Sequence, residues 1–333
     1  MRKLIVHIGY PKTGTTTLQD GLFVKLHKQG RIHFLGRSQY DKNKAFSQAP
    51  ALSEYLWNDP EPGNAPIKLS DDLLNIMSDE VLTFPRAYRE AEWGYSMQDP
   101  FTFPAKLKTC LQDIVDDVHI MVTLRCQKDV MPSFYVQKFL SWKDDENHNT
   151  PAKHFLGSAN RINKDLFDVY YYHDLLRKWA DAFGNNRLTV LFFEDFINDF
   201  ETFANDLSKI IGFSNSDIKS LLQGVHFRKT PVCDAGYIYE KKHYTVAGGI
   251  VEKLFSIPRI KQVSKMIKKR FGLEDNKVVK ALKKPLFPKE EFIIPPLTVQ
   301  QEHMIVDGFR ENNLLLAKNF GLSKKKLKKY GYI

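Results

Sequence analysis

Two rhythms of apolar and polar positions alternate along the first two thirds of this 333-residue chain. Short unbroken apolar runs, Leu4-Ile5-Val6-His7-Ile8, Ile32-His33-Phe34-Leu35, Leu73 to Met77, His119 to Leu124 and Arg187 to Phe193, predict strands covered on both faces. Between them, apolar residues recur every three or four positions over 15–28, 104–115, 128–142 and 166–183, and again at Phe203, Leu207, Ile210 and Ile211, which predicts helices with one buried stripe. Alternating strand and helix points to an α/β fold of three layers, a parallel sheet flanked by helices. Pro50, Pro60, Pro62, Gly63 and Pro66 mark 37–70 as an insertion over the sheet edge, and the polar stretch 143–163 reads as a mobile lid or acceptor-binding loop. Beyond Ser214 the pattern turns helical and basic. The expected organisation is therefore a core over 1–235 carrying both insertions, with a basic helical C-terminal part over 236–333 packed on or beside it.

The first strand runs into Gly9-Tyr10-Pro11-Lys12-Thr13-Gly14-Thr15-Thr16-Thr17, and a helical pattern follows. Gly9 and Gly14 allow tight turns, and a helix opening at Thr15 aims its unpaired N–H groups at the loop, which makes an oxyanion cradle. The spacing is that of a P-loop, Gly-x4-Gly-Lys-Ser/Thr, except that Thr15 stands where the lysine belongs and Lys12 precedes the second glycine. That departure argues against an ordinary nucleoside triphosphatase.

With Lys12 before the second glycine and a threonine run after it, the loop resembles the 5′-phosphosulfate loop of sulfotransferases that use 3′-phosphoadenosine 5′-phosphosulfate (PAPS), Pro-Lys-Ser/Thr-Gly-Thr-Thr with an apolar residue two positions on, here Leu18. The resemblance implies a P-loop-like sulfotransferase fold, PAPS as co-substrate with adenosine 3′,5′-bisphosphate as product, and donor contacts from Lys12, Thr13, Gly14, Thr15, Thr16 and Thr17. It extends to Leu124-Arg125-x7-Ser133, similar to the segment that holds the donor's 3′-phosphate, for which a guanidinium fork and a hydroxyl are suited. Cys126-Gln127 departs from the Asn-Pro common after that arginine, and Pro132 sits inside the expected helix. Leu191 to Phe196 resembles the family's aromatic-Glu-Asp strand end, with Glu194 and Asp195 expected to cap the following helix. Phe227-Arg228-Lys229 resembles a late Arg-Lys-Gly segment that closes over the 3′-phosphate, with Thr230 in the glycine's place.

Sulfuryl transfer to a hydroxyl needs in-line geometry, charge stabilisation and a base for the acceptor's proton. The family implies a glutamate or histidine facing the cradle. Glu80, after a strand that ends in Ser-Asp-Glu, is the candidate base; His7 and His33 on neighbouring strands are rivals, and Asp79 is a lesser one. A helix-capping or solvated Glu80, and packed core histidines, are the structural alternatives. The loop 93–103, with Trp93 and Tyr95, and both insertions are available for an acceptor; exposed aromatics suit sugar rings, so a carbohydrate or glycolipid hydroxyl is expected.

Composition refines this picture in three places. Cys110, Cys126 and Cys233 are far apart, and no His or Cys spacing predicts a structural metal or a disulfide framework. The net charge of +10 is regional, because Lys241 to Lys289 holds fourteen Lys and Arg against Glu252, Glu274 and Asp275. This window predicts either a core-facing stripe with a solvated basic back or peripheral contact with an anionic membrane or an acidic polymer; no specific nucleic-acid partner is expected. The Lys324–Lys329 cluster reads as a further basic segment, disordered or surface-bound. No apolar stretch is long enough to span a bilayer and the first strand leaves no room for a leader, so a cytoplasmic protein, peripheral at an inner membrane, is expected. Two other classes stay open at this stage: a P-loop kinase or nucleotide-binding protein, and a non-catalytic basic protein that binds anionic polymers or membranes.

Overall fold

Five parallel strands form the central sheet of the computed structural model in the order β2-β3-β1-β4-β5. The structure describes residues 1–36, 48–56, 60–83, 99–157, 161–162, 164–223, 232–233, 235–241 and 290–333. The strands are β1 (Lys3–His7), β2 (His33–Phe34), β3 (Asn75–Ser78), β4 (Asp117–Leu124) and β5 (Leu188–Phe192). β1 is central, with His7 level with Ser78 of β3 on one side and with Met121 of β4 on the other. The chain first builds β2 and β3 on one side of β1 and then crosses to β4 on the other. The carboxyl end of β1 thus lies at the point where strand order reverses, the place at which open α/β sheets bind ligands.

Side chains alternate across β1. Ile5 joins Ile76, Met121 and Leu191 on one face, where they meet Leu18, Leu22, Phe23 and Leu26, and Phe203, Leu207 and Ile211. The first of those groups comes from α1 (Thr15–Leu18) and α2 (Val24–Lys28), joined by a π-helical turn over Gln19–Phe23. Gln48–Tyr55 forms α3 inside the predicted insertion. After β3 comes α4 (Phe103–Leu111), after β4 comes α5 (Gln127–Trp142) and, further along, α8 (Tyr172–Phe183), which packs on β4, β5 and α4. Pro132 lies within α5 without ending it; so near the helix start it removes a single hydrogen bond, the one to the Lys128 carbonyl.

Three elements differ from the sequence expectation. The polar stretch 143–163 is not a loop throughout: Thr150 accepts the Lys153 N–H and starts α6 (Pro151–Leu156). His154 and Phe155 of α6 are buried among Tyr135, Trp142 and Phe167, an aromatic cluster that outweighs the polar composition around it. The helix expected over 166–183 is instead α7 (Lys164–Phe167), a 3-10 turn over Asp168–Tyr170 and then α8, because Tyr171 leaves helical geometry at φ −76°, ψ 75°. The strand expected over 73–80 ends at Ser78 and turns into a 3-10 helix at Glu80–Thr83.

After β5 come α9 (Phe193–Asn198), α10 (Phe200–Ile211) and α11 (Asn215–Leu222). The rest of the chain does not divide at 235/236: residues 230–296 form one compact unit, and 297–333 belong to the same unit as residues 1–229. The smaller unit contains a three-stranded antiparallel sheet of β6 (Val232–Cys233), β7 (Gly236–Lys241) and β8 (Glu290–Ile294). In the larger unit, Thr298 and Gln301 form a reciprocal capping box that opens α12 (Val299–Phe320). Ile305, Phe309 and Leu316 are buried and seat α12 on α8 and α5. The lysine cluster is not disordered but forms α13 (Lys324–Tyr330), anchored through buried Leu327, Tyr330 and Tyr332.

Candidate active site

The loop that follows β1 is held open towards the carboxyl edge of the sheet. Ile8 N–H donates to the Met121 carbonyl at 2.9 Å and Asp79 N–H to the His7 carbonyl at 3.2 Å, so three strands stay in register up to the turn. Lys12 and Gly14 then adopt left-handed backbone, at φ 68° and 82°. The hydroxyls of Thr13 and Thr15, both buried, donate to the Tyr10 carbonyl at 2.6 and 3.1 Å. Tyr10 is itself fixed, its hydroxyl donating to the Val169 carbonyl at 2.7 Å and its ring packed on Tyr170 and Tyr172. Thr13 and Thr15 therefore spend their hydroxyls on the loop, and what they have for a ligand is backbone. Gly14 caps α1 without a side-chain hydrogen bond, and a helix start of this kind suits an anion. A Cβ on Gly14 would lie 3.3 Å from Phe193 and Phe196, and one on Gly9 would lie 2.9 Å from Thr15 Oγ1 and 3.0 Å from His7 Nε2.

Arg125, one residue past β4, reaches this loop. Its Nη1 donates to the Lys12 carbonyl at 3.1 Å, and its guanidinium carbon lies 4.9 Å from the centroid of the Phe193 ring. The cradle, the end of β4 and the start of α9 are thereby brought to one point. Glu194 completes the join, its Oε1 accepting the Cys126 N–H at 2.7 Å. Burial pushes the Glu194 carboxyl up to about 7, against the Cys126 amide and Arg125, which pull it down. The expected role of Glu194 and Asp195 as caps of the next helix falls to Asp199, whose Oδ1 accepts the Thr202 N–H at 3.2 Å. Ser133 is buried six residues into α5, about 9 Å along its axis from Gln127. Arg228 and Lys229 lie outside the described residues, as do Trp93, Tyr95, most of 241–289 and parts of both insertions.

The four candidates for a base separate by position. His33 pairs with Asn75 at the amino end of β3, the edge opposite the cradle, and its Nε2 is 2.9 Å from the Lys68 carbonyl. His7 is fully buried beneath the loop, its Nδ1 2.8 Å from Ser78 Oγ and its Nε2 3.3 Å from Thr123 Oγ1. Burial lowers its pKa to about 3 and keeps the ring neutral. Asp79 is buried too, its carboxylate accepting the Ser53 hydroxyl at 2.7 Å and the Val81 N–H at 3.0 Å. Glu80 is half-buried and opens the 3-10 turn tied to the cradle: Thr83 Oγ1 is 3.0 Å from the Gly9 carbonyl and 3.1 Å from that of Glu80.

Residues 2–248 match the model of the sulfotransferase domain. The chain belongs to the sulfotransferase family. A sulfotransferase of this family draws its sulfuryl group from PAPS and releases adenosine 3′,5′-bisphosphate, and the loop's outward amides, Lys12 and Arg125 are the chemistry such a polyanion requires. Solved structures similar to this sulfotransferase include the enzyme from Alicyclobacillus acidocaldarius (16% identity over 65% of this chain and 83% of that one, TM-score 0.38). Mouse sulfotransferase SULT7A1 complexed with PAP shares 12% identity over 85% and 88% of the two chains (TM-score 0.35). Retinol dehydratase in complex with androsterone and inactive cofactor PAP shares 14% over 97% and 82% (TM-score 0.36). A search of curated protein sequences returns no match. Among the described residues no three His, Cys, Asp or Glu cluster as metal ligands, and no helix is long and apolar enough to cross a membrane. A cavity of about 620 Å³ opens beside Phe196, lined also by Phe200, Leu222 and Gln223.

Proposed function

We propose that the loop 9–17 holds the 5′-phosphosulfate of PAPS, that Arg125 with Ser133 takes its 3′-phosphate, and that Glu80 accepts the proton of a carbohydrate or glycolipid hydroxyl. The contact of Arg125 with the Lys12 carbonyl carries this reading, since it sets a guanidinium fork beside the cradle. In the transfer the acceptor oxygen bonds to sulfur as the bond from sulfur to the 5′-phosphate oxygen breaks. The amides of 13–17 and the Lys12 ammonium offset the charge that builds on that leaving oxygen. Glu80 takes the acceptor's proton, and its tie to Gly9 through Thr83 supports its choice over His7, Asp79 and His33. The cavity at Phe196, with Phe200 and Leu222 beside the polar Ser216, Lys219, Ser220 and Gln223, suits the adenine, its size falling within the range of small-ligand sites. Arg228 and Lys229 supply further 3′-phosphate contacts in this scheme, and the basic window 241–289 lies against an anionic membrane, which cosedimentation with anionic vesicles tests.

Thermal stabilisation decides the donor assignment. Adenosine 3′,5′-bisphosphate without metal should raise the melting temperature, whereas stabilisation by ATP plus magnesium alone sinks the assignment. Glu80→Gln should lower kcat on the order of a hundredfold with donor affinity unchanged; retained turnover removes Glu80 as base. A labelled-donor screen over glycans, glycolipids and small alcohols tests the acceptor class.

A further inference from the structure

The turn Arg125-Cys126-Gln127 is held from a part of the chain about 200 residues away. Arg125 is clamped on both sides, its carbonyl accepting the Tyr172 hydroxyl at 2.7 Å and the next amide, Cys126 N–H, going to Glu194 Oε1. The second oxygen of Glu194 accepts the Tyr332 hydroxyl at 3.3 Å. Tyr332 is fully buried, its ring edge-on to Phe192 at 5.6 Å, and its carbonyl accepts Asn313 Nδ2 at 2.9 Å. Asn313 in turn exchanges amide hydrogen bonds with Gln127 at 3.1 and 3.2 Å. Cys126 Sγ donates to the Gly331 carbonyl at 3.1 Å, and the adjacent Asp195 takes Lys326 Nζ at 2.5 Å and the Tyr330 hydroxyl. Of these groups Tyr172 also packs on Tyr10 of the loop. All act on the residues around Arg125 or on Glu194 and Asp195, the two carboxylates beside it.

We propose that Tyr332 is a positioning residue of the donor site: through Glu194 it fixes the Cys126 amide and so the angle at which Arg125 meets the 3′-phosphate. The proposal rests on the assignment of Arg125 to that phosphate. The chemistry is specific to the hydroxyl. Phenylalanine keeps the buried ring and its packing but leaves the second oxygen of the buried Glu194 side chain without that donor, and the side chain then turns towards the Arg125 guanidinium.

Adenosine 3′,5′-bisphosphate and adenosine 5′-monophosphate, which lacks the 3′-phosphate, separate this role from general loosening. Calorimetric titration of the wild type should favour the bisphosphate strongly, and Arg125→Ala should lose that preference. Tyr332→Phe should weaken bisphosphate binding about fivefold while the monophosphate stays within twofold. Glu194→Gln, which keeps an acceptor for the Cys126 amide, should retain most of the preference that Glu194→Leu loses. Equal weakening of both nucleotides in Tyr332→Phe, or no weakening, overturns the positioning role and leaves the donor assignment standing if Arg125→Ala still abolishes the preference. Absence of any preference in the wild type overturns the Arg125 assignment itself.

Discussion

Lys12 occupies a backbone conformation that L-residues avoid, at the place where the proposed transfer uses an ammonium. Lys12→Gly removes that strain, so the variant should be about 1 kcal/mol more stable in urea titration while sulfuryl transfer is lost. Gly14→Ala should do the reverse of a benign change, since φ 82° and two phenylalanine rings at 3.3 Å oppose the methyl group. A loss of about 1–2 kcal/mol with weakened bisphosphate binding is expected. Two buried titratable groups act in opposite directions on pH-dependent stability. Glu194 holds its proton up to about 7 in the folded chain against 4.5 unfolded, so its contribution is full below 4.5 and falls as pH rises through 7. His7 refuses a proton until about 3 against 6.5 unfolded, so stability falls as pH drops below 6.5. Between 4.5 and 6.5 the two slopes offset. Glu194→Gln should expose the His7 slope, with unfolding free energy rising over that interval more steeply than in the wild type; parallel curves in urea titrations at several pH values contradict it.

At the scale of elements, the sequence made β1, the cradle, β4, α5 and β5 legible, because each is a local pattern: an apolar run, two glycines with a lysine between, a three-to-four periodicity. Arg125 was legible for the same reason, as a cation at a strand's end. The break before α8 was not, since apolar spacing continues unbroken through 166–183; what ends the helix is the demand of Tyr10, which is packed by Tyr170 and Tyr172 on either side of the break. Tyr10→Phe removes the hydrogen bond to Val169 and should cost about 1 kcal/mol with a visible effect on cradle order in amide exchange of residues 13–16. The 143–163 segment misled because its polar residues outnumber the few aromatics that decide its packing. Glu80's tie to Gly9 was hidden in a threonine three residues further on, a contact no spacing rule announces.

For the larger unit as a whole, the C-terminal helices are part of the core and not an appendage. Deleting 323–333 removes buried Leu327, Tyr330 and Tyr332 together with the partners of Asp195 and Glu194. Loss of several kcal/mol of unfolding free energy is expected, on the scale of large aromatic deletions. The hint in the sequence is the pair Tyr330 and Tyr332 directly after a lysine run, aromatic residues where a merely solvated tail needs none. Residues 126 and 331 touch across a separation of 205 positions. On a ribosome, the strands, the cradle and Arg125 all emerge long before Tyr332 does. The turn around Arg125 is therefore locked by residues made about 200 positions after it, and a nascent chain halted between the two carries the loop 9–17 and Arg125 around a turn that has not yet been locked.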